Sequence, residues 1–231
     1  EQIGNLDGRA ATLANMAGAI AAQGDVKLAL ELWQQSLALM ERIGNVQGMA
    51  AVLGNMACVI DQQGNVGRAF DLRQQALTLQ EQIGDVRGKA ATLGNMAGVI
   101  ARQGDVKHAL ELWQQSLALL EQIGDVRGKA SVLHNMAGRI AQDGDVKRAL
   151  DLWQQALSLQ EQIGHMEGKA ATLSNMAGVI AQQGDVQRAL SLWEQSLALL
   201  EQIGYVRGKA ATLSSMAAMI AQRGDVKRAL D

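Results

Sequence analysis

The chain has no proline among its 231 residues, a single cysteine, Cys58, and only six aromatic side chains: four Trp, one Tyr and one Phe. One cysteine rules out an internal disulfide and agrees with a reducing, cytoplasmic setting. Without proline, the reversals of the chain fall to another residue, and the 25 glycines are the candidates. The net charge of −2 and charged fraction of 19% supply no basic surface for nucleic acid or a membrane face. There is no run of about 18 apolar residues, so no membrane span is expected, and no signal peptide is visible. The sequence starts without Met and stops at Asp231 inside a repeat. It is therefore expected to be a piece of a longer protein.

Catalytic chemistry is equally scarce. The three histidines, His108, His134 and His165, stand at different places in different repeats. None has Cys58 or a second His at metal-ligand spacing. No hydroxyl–His–acid set and no GxxxxGK[ST] loop occurs. Asp105 and His108 lie one turn apart and read as solvated. Neither an enzyme, nor a cofactor, nor a metal is expected.

What is present is repetition. Asn-Met-Ala-Gly stands at 15–18, 95–98, 135–138 and 175–178, with Asn-Met-Ala-Cys at 55–58 and Ser-Met-Ala-Ala at 215–218. The interval is forty residues, and the segments beginning at Glu81 and Glu161 agree at 31 of 40 positions. The chain reads as one array with units at 1–40, 41–80, 81–120, 121–160, 161–200 and a truncated 201–231. In the unit 81–120, Leu93, Met96, Ala97 and Ile100 follow the i, i+3, i+4, i+7 spacing of an amphipathic helix. Gly104 and Asp105 then supply a left-handed stop and an N-cap. A second apolar pattern runs from Val106 to Ile123, ended by Gly124 and Asp125. The spacing predicts helix A over 86–103 and helix B over 106–123. Connections this short make neighbours antiparallel. The fold expected is all-α: an α-solenoid of antiparallel helix pairs, with 11 to 12 helices, in which stacked repeats bury a continuous core.

Ala29, Ala69, Ala109, Ala149, Ala189 and Ala229 are expected where helices A and B cross most closely. Trp33, Trp113, Trp153 and Trp193 are expected to fill the space towards the next helix A. Arg73 holds that place in the second repeat, where Phe70 is expected to restore part of the volume, and the junction is expected to be the softest in the array. On a helical wheel, Ala91, Asn95, Gly98 and Arg102 form a narrow stripe opposite the core face.

These residues resemble tetratricopeptide repeats over the whole chain. The 40-residue form, with its Gly-Asp linker and helix A Asn, is similar to Leu-Gly-Asn-repeat spindle adaptors, to kinesin light chains and to bacterial arrays. The family's usual length is 34. Its proline after helix B is missing here, and Leu13, Leu53 and their equivalents replace its first helix A aromatic. The resemblance implies that helix A lines the concave side and that its Asn residues contact bound peptides. On that reading Asn15, Asn55, Asn95, Asn135 and Asn175 form a ladder for an extended peptide or partner helix. Arg87, Arg102, Arg127, His134 and Arg139 give it a basic middle suited to an acidic peptide. The alternatives are a structural spacer, a self-assembling scaffold, or a sensor array beside an effector domain. Val226, Ala229 and Leu230, in a helix B cut short, suggest end-to-end self-association.

Overall fold

The computed structural model describes residues 2–222, with side-chain environments from Asn5 to Ala221. Eleven helices occupy this range: α1 Gln2–Ala22, α2 Val26–Ile43, α3 Val46–Gln62, α4 Val66–Gln82, α5 Val86–Arg102, α6 Val106–Gln122, α7 Val126–Gln142, α8 Val146–Gln162, α9 Met166–Gln182, α10 Val186–Gln202 and α11 Val206–Gln222. Odd-numbered helices are the A helices of successive repeats and even-numbered ones the B helices. No strand occurs among the described residues. Ala229 and the truncated helix B expected to self-associate, with Val226 and Leu230, lie outside this range.

Glycine performs the reversals that proline does not. Gly104 has φ +94° and Gly124 φ +66°, a left-handed conformation a side chain would strain. The next residue caps the following helix. Asp105 Oδ1 accepts from the His108 backbone N–H at 3.1 Å, and Asp125 Oδ1 from that of Gly128 at 2.9 Å. Each such cap satisfies one of the amides a helix start leaves unpaired. At α9 the capping position is taken by His165, whose side chain makes no cap bond.

The chain divides into two compact units, Glu1–Ile123 and Gly124–Asp231. Within the first, α1 packs on α2, α3 on α4 and α5 on α6, and each B helix also meets the next A helix, α2 with α3 and α4 with α5. Within the second, α7 packs on α8 and α9 on α10, with α8 against α9 and α10 against α11. This alternation is the α-solenoid arrangement.

The packing follows the repeat. Ala29, Ala69, Ala109, Ala149 and Ala189 are wholly buried, and Trp33, Trp113, Trp153 and Trp193 each expose 1%. Trp33 sits in a cluster with Ala10 and Ala17 of its own helix A and Val52 and Met56 of the next one. Trp33, Trp153 and Trp193 bury an Nε1–H that has no acceptor, so area rather than hydrogen bonding accounts for the indole at this place. Odd-numbered repeats add a cross-helix bond: the Ser36, Ser116 and Ser196 hydroxyls donate to the carbonyls of Ala10, Ala90 and Ala170 at 2.7 to 2.8 Å. Even-numbered repeats have Ala76 and Ala156 instead, and a buried glutamine one turn later, Gln80 and Gln160.

The second repeat departs most. Arg73 occupies the Trp place and is 7% exposed, while Phe70 is only half-buried. The charge is met by Asp61, which stands in α3 where the other repeats have Ala21, Ala101, Ala141, Ala181 and Ala221. Arg73 Nη2 lies 3.5 Å from Asp61 Oδ2, and the same oxygen accepts from Arg102 of the following helix A. Arg73 Nη1 is buried without a partner.

Candidate functional site

The stripe opposite the core face is open. Asn15, Asn55, Asn95, Asn135 and Asn175 are all exposed. The glycines beside them are not demanded by packing. A Cβ built at Gly18, Gly98 or Gly178 would meet nothing within 4 Å, and one at Gly138 would only reach Trp153 at 3.9 Å. Glycine inside a helix costs about 1 kcal/mol relative to alanine, and here no neighbouring helix requires it. What the glycine does achieve is a low floor between exposed amides, where a second backbone can approach. Each amide brings two donors and one acceptor, enough to hold a peptide group.

The basic residues have individual surroundings. In the first unit, Arg87 is exposed, and Arg102, with its side chain 58% exposed, is held by Asp61. In the second unit, Arg127 is exposed, while Arg139 is half-buried, with Nη2 2.9 Å from Asp143 Oδ1 and Nη1 3.2 Å from Gln142 Oε1. Arg102 and Arg139 thus carry local bridges as well as facing the stripe.

His134 behaves least like a cation. It fills the place before the Asn, held elsewhere by Ala14, Gly54, Gly94, Ser174 and Ser214. Its Nδ1 is 2.8 Å from Thr172 Oγ1, and its Nε2 is 3.2 Å from Asn175 Nδ2. The Thr172 hydroxyl donates to the Gly168 carbonyl at 3.0 Å, which leaves its oxygen to accept. One tautomer satisfies all three bonds: Asn175 donates to Nε2, and Nδ1–H donates to Thr172. The ring is neutral in that arrangement, and desolvation by burial holds its pKa below the ordinary 6.5. His134 therefore orients the amide of Asn175 from the preceding helix A.

Two concavities near these elements were not foreseen from the sequence. One, about 540 Å³, opens between α2 and α4 over Met49 and Leu53 of α3. It faces away from the Asn stripe, since Leu53, which lines it, and Asn55 lie on opposite sides of α3. Met49 stands where the later repeats have Lys89, Lys129, Lys169 and Lys209. Lys89 and Lys169 bridge to Glu81 and Glu161 on the preceding B helix; with Met49 the same place becomes apolar, lined also by Leu37 and Leu79. The Lys-to-Met change was visible in the repeat alignment, but not that it would leave a cleft. The other concavity, about 210 Å³, adjoins Asn135 and is lined by Ser131, His134, Gln160 and His165.

Elsewhere, His108 is exposed with its Nδ1 3.9 Å from Asp105 Oδ2, and Cys58 is exposed on the stripe. Among the described residues no cluster of three His, Cys, Asp or Glu could hold a metal ion, and no helix is long and apolar enough to cross a membrane.

No curated protein sequence matches the chain. Solved structures do. A kinesin light chain from Podosopora anserina with nearly identical tetratricopeptide-like repeats superimposes with a TM-score of 0.63 at 21% identity, over 86% of this chain and 98% of that one. A Rap protein complexed with competence and sporulation factor gives 0.72 at 13% identity, over 94% and 71%. NprR in complex with its cognate peptide NprX gives 0.65 at 15% identity, over 95% and 64%. At these identities the likeness is one of fold. The sequence itself matches the tetratricopeptide repeat profile over residues 8–82, 88–163 and 170–203, and the chain belongs to the tetratricopeptide repeat family.

Proposed function

We propose that this chain is a non-enzymatic protein-interaction module whose repeats hold an extended peptide or a partner helix against the A helices within a unit. The observation that carries the reading is the exposed Asn beside a glycine with open space around its Cα, at Asn15, Asn95 and Asn175. The glycine weakens the helix and meets no neighbouring helix, yet beside an amide it suits an approaching backbone. Two structural relatives, the Rap protein and NprR, are described in complex with competence and sporulation factor and a cognate peptide; a peptide or protein partner is proposed here by analogy. An acidic side chain of that partner would sit against Arg127. With one cysteine the module is suited to the cytoplasm.

The test is a peptide selected from a random display library on the full chain. Changing Asn55→Ala and Asn95→Ala together, both in the first unit, is expected to weaken its binding at least tenfold, with helicity and melting unaltered. Loss of folding in the double variant would make the ladder architectural and remove the proposal. Replacement of Asp or Glu in the selected peptide without effect would remove the acidic preference alone.

A further inference from the structure

Within the second unit, a side-chain pocket is built beside Asn135. Its floor is Gln160, in the last turn of α8, which is 4% exposed and whose Oε1 has no hydrogen-bond partner. α7 contributes Ser131, His134 and Asn135, and the start of α9 contributes His165 and Gly168. The space is about 210 Å³ and open on one side, smaller than the several hundred Å³ typical of a drug-sized ligand, and suited to one polar side chain.

Each wall has a defined hydrogen-bonding state. Both His134 nitrogens are spent on Asn175 and Thr172, so the ring presents carbon. The Ser131 hydroxyl donates to the Arg127 carbonyl at 3.1 Å, which leaves its oxygen as an acceptor. His165 holds the capping position of α9 without capping it, and so keeps its imidazole for the pocket. The Asn135 amide is exposed at the rim. A buried acceptor left unpaired is costly, so a guest that donates to Gln160 recovers a hydrogen bond the fold does not supply.

The equivalent place in the first unit shows what the histidines add. Gln80 is also buried with an unpartnered Oε1. There Gly54 stands for His134, and Asp85 for His165; the Asp85 side chain turns to the Gly88 backbone N–H at 2.9 Å. One wall is missing and the other is committed to the backbone.

We infer that the pocket formed by Gln160, His165, Ser131 and Asn135 takes a neutral carboxamide, the side chain of a glutamine or asparagine in the bound peptide. This deepens the groove reading above and rests on it for the peptide that delivers the side chain. A carboxylate only accepts hydrogen bonds and would leave Gln160 Oε1 unpaired. An ammonium would be buried with no carboxylate lining the cavity to compensate its charge. A carboxamide carries donor and acceptor together: it donates to Gln160 Oε1 and accepts from Asn135.

The experiment titrates the isotope-labelled full chain with single blocked residues, N-acetyl-glutamine methylamide against its glutamate and lysine counterparts, read by NMR. The glutamine probe is expected to give saturable shifts at the Gln160 and Asn135 side-chain amides and the His165 ring. Binding is expected to be at least tenfold weaker for the glutamate and lysine probes and for the Gln160→Leu variant, whose side chain keeps the volume. His165→Asp, which restores the cap, serves as a second variant and is expected to weaken binding similarly. Absence of a saturable response, an equal response to glutamate or lysine, or a response unchanged in both folded variants would overturn the assignment. Because the probe is one residue long, it binds or fails independently of whether a longer peptide lies along the Asn stripe, so the two readings fail separately.

Discussion

The second and fourth repeats are built on the same plan and differ in where they place their polar chemistry. Both have alanine and a buried glutamine in helix B, Ala76 with Gln80 and Ala156 with Gln160. The second puts charge into the core, with Arg73 in the Trp place and Asp61 opposite it. The fourth keeps Trp153 in the core and places half-buried imidazoles beside the Asn, at His134 and, from the next repeat, His165. Since the backbone helices have the same lengths, the repeat tolerates either change. The difference separates positions that hold the fold from positions that shape what it can bind.

The largest expected effects break the two cores. Trp153→Ala should destabilise the second unit by about 3–5 kcal/mol, through lost burial and the cavity left behind. Asp61→Ala should do comparable damage in the first, about 3–5 kcal/mol, because it leaves the buried Arg73 uncompensated. Urea unfolding measures both, and an Asp61→Ala midpoint equal to the parent's would mean the ion pair does not hold that junction. The comparison sharpens if both members are replaced: Asp61→Ala with Arg73→Trp, which restores the common pattern, should be neutral or raise stability by about 1–4 kcal/mol.

A smaller effect is expected at the start of α9. His165→Asp supplies the cap every neighbouring described helix from α2 to α8 has, and should stabilise by about 1 kcal/mol in thermal unfolding. The smallest concerns pH. His134 is neutral in the fold, with a pKa below the ordinary 6.5, so the unfolded chain binds a proton more readily than the folded one. Its contribution is complete above the unfolded value and is lost as pH falls through about 6.5 towards the folded one. Moving from about pH 7.5 to about pH 5.5 should therefore lower the urea midpoint more for the parent than for His134→Ser. Equal shifts would show that the imidazole titrates freely.

Most of the fold was legible because its signals are local. The Gly-Asp turns, the apolar spacing of Leu93 to Ile100 and the Trp seam each act within one or two turns, and helix A of the third repeat, predicted over 86–103, spans Val86–Arg102. What escaped depends on pairing between helices. The sequence points to Phe70 as restoring volume beside Arg73, whereas the Arg73 charge is met by Asp61, a change from alanine on another helix whose meaning appears only when the two are packed together. The sequence groups His134 with the basic residues of the groove, but its place between Thr172 and Asn175 makes it a neutral bridge. Gln160 is one of a pair alternating every second repeat, a period that the forty-residue register hides.

The account turns on which face receives the partner. The most direct measurement is the NMR cross-saturation footprint of a library-selected peptide on the full chain. The account predicts saturation transferred to the Asn55 and Asn95 side-chain amides, with the methyls of Met49 and Leu53 untouched. Transfer to Met49 and Leu53 instead, with the Asn amides silent, would place the partner in the apolar cleft between α2 and α4 and contradict it.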